Sequence, residues 1–235
     1  MDYKREEDFR YCRNYGNLKD ATIVMARRTK EESLETHTAL LDAAERVFCE
    51  KGVTRTTLND VACAAGMTRG AIYWHFKDKN DLFQAMCERA RSPMQALLNE
   101  IVSNPGRNPL ASLRQLMLNM PNLVANNERQ RNVFYIMFHR CEKNDEIAYF
   151  AHERAQRAEC HAKVEDILRD AVAQGQLLPD TDTGLALQAI HSYLIGLIHE
   201  WLRDPEAYDL AQHAEAMVDL FLAGLVARPP LKVKT

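Results

Sequence analysis

The chain contains no run of 18 apolar residues, so nothing in it reads as a bilayer-spanning helix. Its N-terminus, rich in Lys, Arg, Asp and Glu up to Asp20, lacks the apolar middle region of a secretory signal, and a cytoplasmic location is expected. The six cysteines, Cys12, Cys49, Cys63, Cys87, Cys141 and Cys160, stand singly, which suits reduced thiols better than a disulfide framework. No C-x-x-C or H-E-x-x-H motif occurs, and the pairs His139 with Cys141 and Cys160 with His161, together with His152, lack ligand spacing on a helix, so neither a metal nor another cofactor is expected. A G-x-S-x-G nucleophile elbow is missing too, no catalytic residue is assigned, and the chain is expected not to be an enzyme. Internal repeats and low-complexity tracts are likewise lacking.

Charge of one sign is in short supply. The net charge is −3 over 235 residues, with residues 1–24 balanced, residues 25–91 one cation in surplus, and the acidic excess in the remainder. Bulk positive potential is therefore not available to hold a polyanion, and any such binding has to come from cations gathered on one face.

What the sequence does contain is helical periodicity throughout. It predicts an all-α protein of about nine helices near 33–51, 58–65, 69–75, 79–103, 109–126, 128–139, 144–174, 182–203 and 209–226, with no convincing strand. Residues 56–83 are the most informative stretch. Thr57 followed by Asp60, and Thr68 before the next apolar run, mark two helix starts, and Gly66 lies where the chain must turn between them. Leu58, Val61, Ala62 and Ala65 form one buried stripe, and Ala71, Ile72 and Phe76 form another. The first helix buries Leu40, Ala43, Ala44, Val47 and Phe48, ends at Lys51-Gly52, and should brace the pair. Two short helices at a steep angle on one core make a helix-turn-helix.

On the second of them Arg69, Gly70, Tyr73 and Trp74 are left outward, with His75 at the edge. An arginine near the start of such a helix can fork onto guanine O6 and N7 in the major groove. A glycine permits close backbone approach, and tyrosine or histidine tips can donate to phosphate oxygens. Lys79, in the first turn of the next helix behind Asp78, can clamp a phosphate against that helix N-terminus. Candidate DNA contacts are thus Arg27, Arg28, Lys30, Thr57, Thr68, Arg69, Gly70, Tyr73, Trp74, His75 and Lys79. The competing reading makes Phe76, and in part Trp74 and Tyr73, ordinary core aromatics.

The string Thr68-Arg-Gly-Ala-Ile-Tyr-Trp-His-Phe76, followed by Lys77-Asp78-Lys79 and Leu82-Phe83, resembles the TetR family of bacterial transcriptional repressors, and within it the drug-efflux repressors of the AcrR, TtgR and SmeT type. The opening Met25-Ala-Arg-Arg-Thr-Lys-Glu-Glu is similar as well. The resemblance implies a helix-turn-helix domain over 25–78 and a ligand-binding and dimerisation domain over 79–228. It also implies a homodimer on double-stranded palindromic operator DNA, with one or two dimers per operator, released by a small hydrophobic inducer, and a part in multidrug efflux and antibiotic resistance. Ligand entry would shift the helix at 79–103 and spoil the spacing of the paired reading helices. Residues 1–24 read as a flexible extension, or as an upstream reading of the start codon, and 229–235 as a tail.

The last two helices carry broad apolar surfaces. Leu187, Ile190, Leu194, Leu197 and Trp201 in one, and Met217, Phe221 and Leu225 in the other, are assigned to dimerisation, with Ala189, Ser192, Gly196, Ala223 and Gly224 allowing close approach on the other faces. For the inducer, Met117, Met120, Phe134, Met137 and Phe138, with His191 and Ile195, offer soft and aromatic lining. Two alternatives remain: a regulator of a metabolic operon, and a helical small-molecule enzyme or a redox sensor acting through Cys63 or Cys141.

Overall fold

Helix entrances set the architecture. In the computed structural model, which describes residues 30–104, 106, 108–141 and 149–233, seven helices begin at a side chain that accepts a backbone amide. Thr57 caps α2 (Leu58–Ala64), Thr68 caps α3 (Arg69–His75) and Asp78 caps α4 (Lys79–Val102). Asn108 caps α5 (Pro109–Asn126), Asn127 caps α6 (Glu128–Tyr135), Asp182 caps α8 (Thr183–Arg203) and Asp209 caps α9 (Leu210–Ala227). α1 (Lys30–Lys51) precedes them, and α7 (Tyr149–Ala173) lies between α6 and α8. Each such cap is worth about 1 kcal/mol, because it satisfies a donor the helix cannot pair internally.

The expected nine helices are present among the described residues, with no strand beyond one bridge between Thr181 and Leu231. Two expectations need correction. The helix expected at 128–139 is α-helical only to Tyr135 and continues as a π-helical turn, Ile136–Arg140. Cys49, Cys87, Cys141 and Cys160 are free thiols, but Cys63 is disulfide-bonded, so the expectation of reduced thiols fails there. The extension 1–24 and the first part of the helix expected from 144 lie outside the described residues.

Glycine is required at two turns. Gly66 has φ +67°, and the backbone wraps around it with the Met67 amide donating to the Ala62 carbonyl at 2.8 Å. Gly52 has φ +80° at the end of α1, and a Cβ there would lie 3.4 Å from the Arg140 carbonyl oxygen. Both are left-handed positions that a side chain strains.

The buried side chains form one core under the helix-turn-helix and further clusters in the C-terminal half. The first takes Leu40, Ala44 and Phe48 from α1, Val61 from α2, Ile72 from α3, and Leu82, Phe83 and Met86 from α4. It is completed from far along the chain by Val133 of α6 and Ile136 of the π turn. α4 also enters the C-terminal core with Leu98 and Ile101.

An ionic cluster ties the same helices. Arg89 of α4 bridges Asp42 at 2.8 Å and also pairs with Glu45, both acids on α1, while Arg129 of α6 reaches Asp42 at 2.9 Å and Glu45 at 3.6 Å. Glu45 is only 5% exposed. Burial pushes its carboxyl above the ordinary glutamate range, against the opposing pull of Arg89 and Arg129. Replacing Arg89 by Ala should cost about 2–3 kcal/mol at pH 7, less than a wholly orphaned charge because Arg129 remains. In that variant the Glu45 carboxyl rises further, so the folded state binds a proton that the unfolded chain releases. The deficit should therefore shrink as pH falls from 7 toward 5, measured by denaturant melts across that range.

Candidate functional site

Helix α3 is fixed by two buried anchors. Ile72 is fully buried and Phe76, its C-cap residue, is 2% exposed. With those positions turned inward, helix geometry sends Arg69, Gly70, Tyr73 and Trp74 outward, and Tyr73 is 48% and Trp74 74% exposed. The Arg69 guanidinium lies over the Tyr73 ring, 5.5 Å from its centroid, which presents a cation and a phenol hydroxyl together. His75 is half-buried and meets His37 of α1 at a centroid distance of 5.8 Å, so it closes the edge of the face.

The two threonines among the candidates are engaged in holding this frame. The Thr68 hydroxyl accepts the Ala71 amide at 3.2 Å. At Thr57 the hydroxyl accepts the Asp60 amide at 3.1 Å, and the Asp60 carboxylate accepts the Thr57 amide at 2.8 Å, a complete capping box. Lys51 also reaches Asp60 at 2.8 Å; burial alone would raise that carboxyl, and the bonds from Lys51 and Thr57 hold it below the ordinary aspartate range. The Lys79 ammonium donates to the Thr54 carbonyl at 2.9 Å, which leaves two of its three donors for a phosphate. Lys30 is exposed at the start of α1, whereas Arg27 and Arg28 lie outside the described residues.

The second candidate site is a cavity of about 270 Å³ in the C-terminal half, walled by α4, α5, α6, α7 and α8. Met117, Met120, Phe134, Met137, His191 and Ile195 line it. Phe138 does not. Its ring packs between Phe134 at 5.8 Å and His199 at 5.6 Å, in the cluster around Trp201. The π turn changes the angular step per residue, so a position four beyond Phe134 no longer follows the same face. Sequence reasoning missed the polar wall, Arg91 and Gln95 on α4 and Arg157, Cys160 and His161 on α7. One signal was available, since Cys160 and His161 had been weighed only as metal ligands. Among the described residues no group of three His, Cys, Asp or Glu is arranged to hold a metal.

Most of the residues assigned to dimerisation are buried within the chain itself. Leu187, Ile190 and Leu194 are 8%, 4% and 8% exposed and line the cavity. Leu197, Trp201 and Leu225 are buried in the same half. Phe221 is partly buried and stacks on Tyr193 at 4.6 Å, and the Tyr193 hydroxyl donates to the Met217 carbonyl at 2.8 Å. These large side chains serve the chain's own core. The outward stripe is instead Ala189, Ser192 and Gly196 of α8 with Leu220, Ala223 and Gly224 of α9, Leu220 being 77% exposed. Contrary to the expectation that no stretch reads as a bilayer-spanning helix, α9 is long and apolar enough for one by length and composition, with mean hydropathy 1.3 and 28% of it buried. It lies against α5, where Arg114 holds Asp219 at 2.6 Å and Glu215 at 2.5 Å.

Residues 40–86 match the family described as bacterial regulatory proteins, tetR family, and residues 108–226 match the C-terminal region of the MAATS-type transcriptional repressors. The chain is 38% identical over 209 residues to the HTH-type transcriptional regulator TtgR of Pseudomonas putida, covering 88% of this chain and 100% of that protein. The crystal structure of NalD, the secondary repressor of the MexAB-OprM multidrug efflux pump in Pseudomonas aeruginosa, superposes with TM-score 0.70 at 34% identity, covering 83% of this chain and 98% of NalD. A SmeT–triclosan complex superposes with TM-score 0.73 at 30% identity, covering 86% and 100% of the two chains; SmeT is the repressor of the Stenotrophomonas maltophilia pump SmeDEF.

The burial pattern of α3 separates anchoring from reading. Ile72→Ala should cost about 2–5 kcal/mol by opening a cavity in the core. Trp74→Ala should stay within about 0.5 kcal/mol, because its ring is largely in water. Guanidinium melts of both variants check this, and a Trp74 cost comparable to that of Ile72 would place the indole in the core.

Proposed function

The chain belongs to the tetR family of bacterial regulatory proteins, and on that premise we propose that it is a transcriptional repressor which holds a palindromic operator as a homodimer and lets go when a small apolar or aromatic compound fills its cavity. The observation that carries this reading is the placement of α3. Ile72 and Phe76 lock it to a rigid head, and Arg69, Gly70, Tyr73 and Trp74 form one exposed basic and aromatic face. Such a face has no use in the chain's own packing. The regulated genes are a multidrug efflux operon, in keeping with NalD and SmeT, both described as repressors of such pumps. The protein acts in the cytoplasm, where its operator is, and performs no chemistry on its ligand.

The homodimer forms through the outward stripe of α8 and α9. Small residues at Ala189, Ser192, Gly196, Ala223 and Gly224 let two helix pairs approach closely, and Leu220 supplies apolar area at their margin. A dimer of this kind sets two copies of α3 one helical turn of DNA apart.

Arg69→Ala should weaken binding to the protein's own promoter DNA by roughly ten- to a hundredfold, the range of a lost guanine fork, with the helical circular-dichroism spectrum unchanged. Unaltered affinity in a gel-shift titration would overturn the role of α3. For the dimer, Gly196 and Gly224 have nothing within 4 Å of an added Cβ, so each chain can hold a side chain there without internal strain. The double variant Gly196→Leu, Gly224→Leu should therefore keep its fold, sediment as a monomer and lose operator binding. A dimer in sedimentation equilibrium at the same concentration would move the interface elsewhere.

A further inference from the structure

The cavity wall holds two carboxamides, and they stand differently. Gln95 of α4 is engaged at both ends: its Nε2 donates to Asn99 Oδ1 at 3.0 Å and its Oε1 accepts the Cys160 thiol at 2.8 Å. Gln130 is the third residue of α6, a position from which glutamine ordinarily reaches back to the amide of the capping residue. Here that amide, of Asn127, already donates to the Leu123 carbonyl at 3.0 Å, and the Gln130 side chain turns across to α4 instead. Its Nε2 donates to the Ala90 carbonyl at 2.8 Å.

That bond fixes which end of the carboxamide is left over. A carbonyl oxygen can only accept, so the nitrogen has to face Ala90 and the oxygen is turned away from it. Among the described residues nothing donates to Gln130 Oε1, and Oε1 is not shut away from open space either. Gln130 is only 4% exposed and lines the cavity, so the space that Oε1 meets is the cavity itself. Around it stand Met117, Val133, Phe134 and Ile190, whose side chains carry no donor. An apolar compound entering without a donor strips water from this oxygen and leaves it unpaired, whereas one with an N–H or O–H group makes the bond.

Resting on the reading of this cavity as the effector site, we infer that Gln130 selects the effector: its Oε1 accepts a hydrogen bond from a small, apolar, bicyclic compound carrying an N–H or O–H donor, and compounds of the same shape without that donor bind less well. At about 270 Å³ the cavity lies at the small end of ligand pockets, which suits two fused rings. Engaging Oε1 polarises the carboxamide and strengthens its hold on Ala90, a residue of the core under the helix-turn-helix, so the contact that sorts ligands also reaches that core.

Indole, benzofuran and 1-methylindole share one bicyclic shape and differ at the donor, which the first presents, the second replaces by an oxygen and the third blocks with a methyl group. In calorimetric titration of the full chain indole should bind at least about threefold tighter than benzofuran, with 1-methylindole also below indole. In Gln130→Met, which keeps the length of the side chain, the ratio of indole to benzofuran affinity should fall about tenfold, a comparison in which the different hydrophobicities of the two compounds cancel. A residue that only clamps Ala90 would weaken both compounds alike on replacement, and an unchanged ratio therefore overturns the inference. In the NMR spectrum of the unmutated chain the Gln130 side-chain amide nitrogen should move with indole and not with benzofuran; the same response to both overturns the inference even where the variant does not fold. Binding of all three without regard to the donor overturns the inference while the cavity stands as effector site, and binding of none at millimolar concentration overturns the effector site itself, and the inference with it.

Discussion

The constraint on which everything else turns is that α4 and α6 each belong to two cores. α4 buries Leu82, Phe83 and Met86 under the reading head, and Leu98 and Ile101 in the C-terminal half. Val133 of α6 lies in the head core and also lines the cavity, between Phe134 and Met137 on the cavity side and Ile136 on the head side. Arg140, closing the π turn, accepts the Val53 amide at 2.9 Å in the loop that leads into the helix-turn-helix. Close-packed interiors do not deform continuously, so a side chain displaced in the cavity wall has to be accommodated in the head core as well. On the proposed reading, a compound that fills the cavity better in one arrangement of these helices than in another would shift the population of head positions, and by linkage DNA would shift affinity for the compound by the same factor.

On the proposed reading, near-neutral charge bears on selectivity. Three acids of the N-terminal half are paired within the chain: Asp60 with Lys51 and the Thr57 cap, and Asp42 and Glu45 with Arg89 and Arg129. Arg69 and Lys77, exposed at and beside α3, carry no ion pair among those described. Long-range attraction from a chain of net charge −3 is small, so the proposed operator binding would have to come from contacts at specific phosphates and bases, the phosphate share falling off steeply with salt.

Local chemistry was legible from the sequence, and phase was not. Caps at Thr57 and Thr68 and the turn at Gly66 placed the short helices within a residue, because each device acts over three or four neighbouring positions. The inward Ile72 and outward Trp74 followed from the same helical step. Phe138 went astray because a π turn alters that step and no residue type announces one. Leu187, Leu194 and Trp201 were assigned to a partner because a helix with two apolar stripes does not say which stripe faces its own core. In this chain the large side chains fill the interior, and the small ones at Ala189, Ser192 and Gly196 are left outward. The cluster of Asp42, Glu45, Arg89 and Arg129 joins residues 87 positions apart, beyond any periodicity argument.

One residue within α4 shows how a shared helix can still yield. Pro93 sits between Ala90, the last of its residues in the head core, and Leu98, the first of its buried residues in the C-terminal core. Proline has no amide to donate, so the backbone ladder lacks a bond at the junction where the helix passes from one core to the other. The proline is itself exposed, so no packing compensates for the missing bond. Arg89 lies one turn before it, clamped to α1, and Arg91 and Gln95, on either side, line the cavity. Any displacement of α4 at the cavity wall thus acts beside the backbone gap at Pro93 and beside the ion pairs that hold the head. A helix with a complete ladder would move as a rod and strain both cores at once, whereas α4, continuous but one backbone bond short at Pro93, has there the place at which its angle changes most easily.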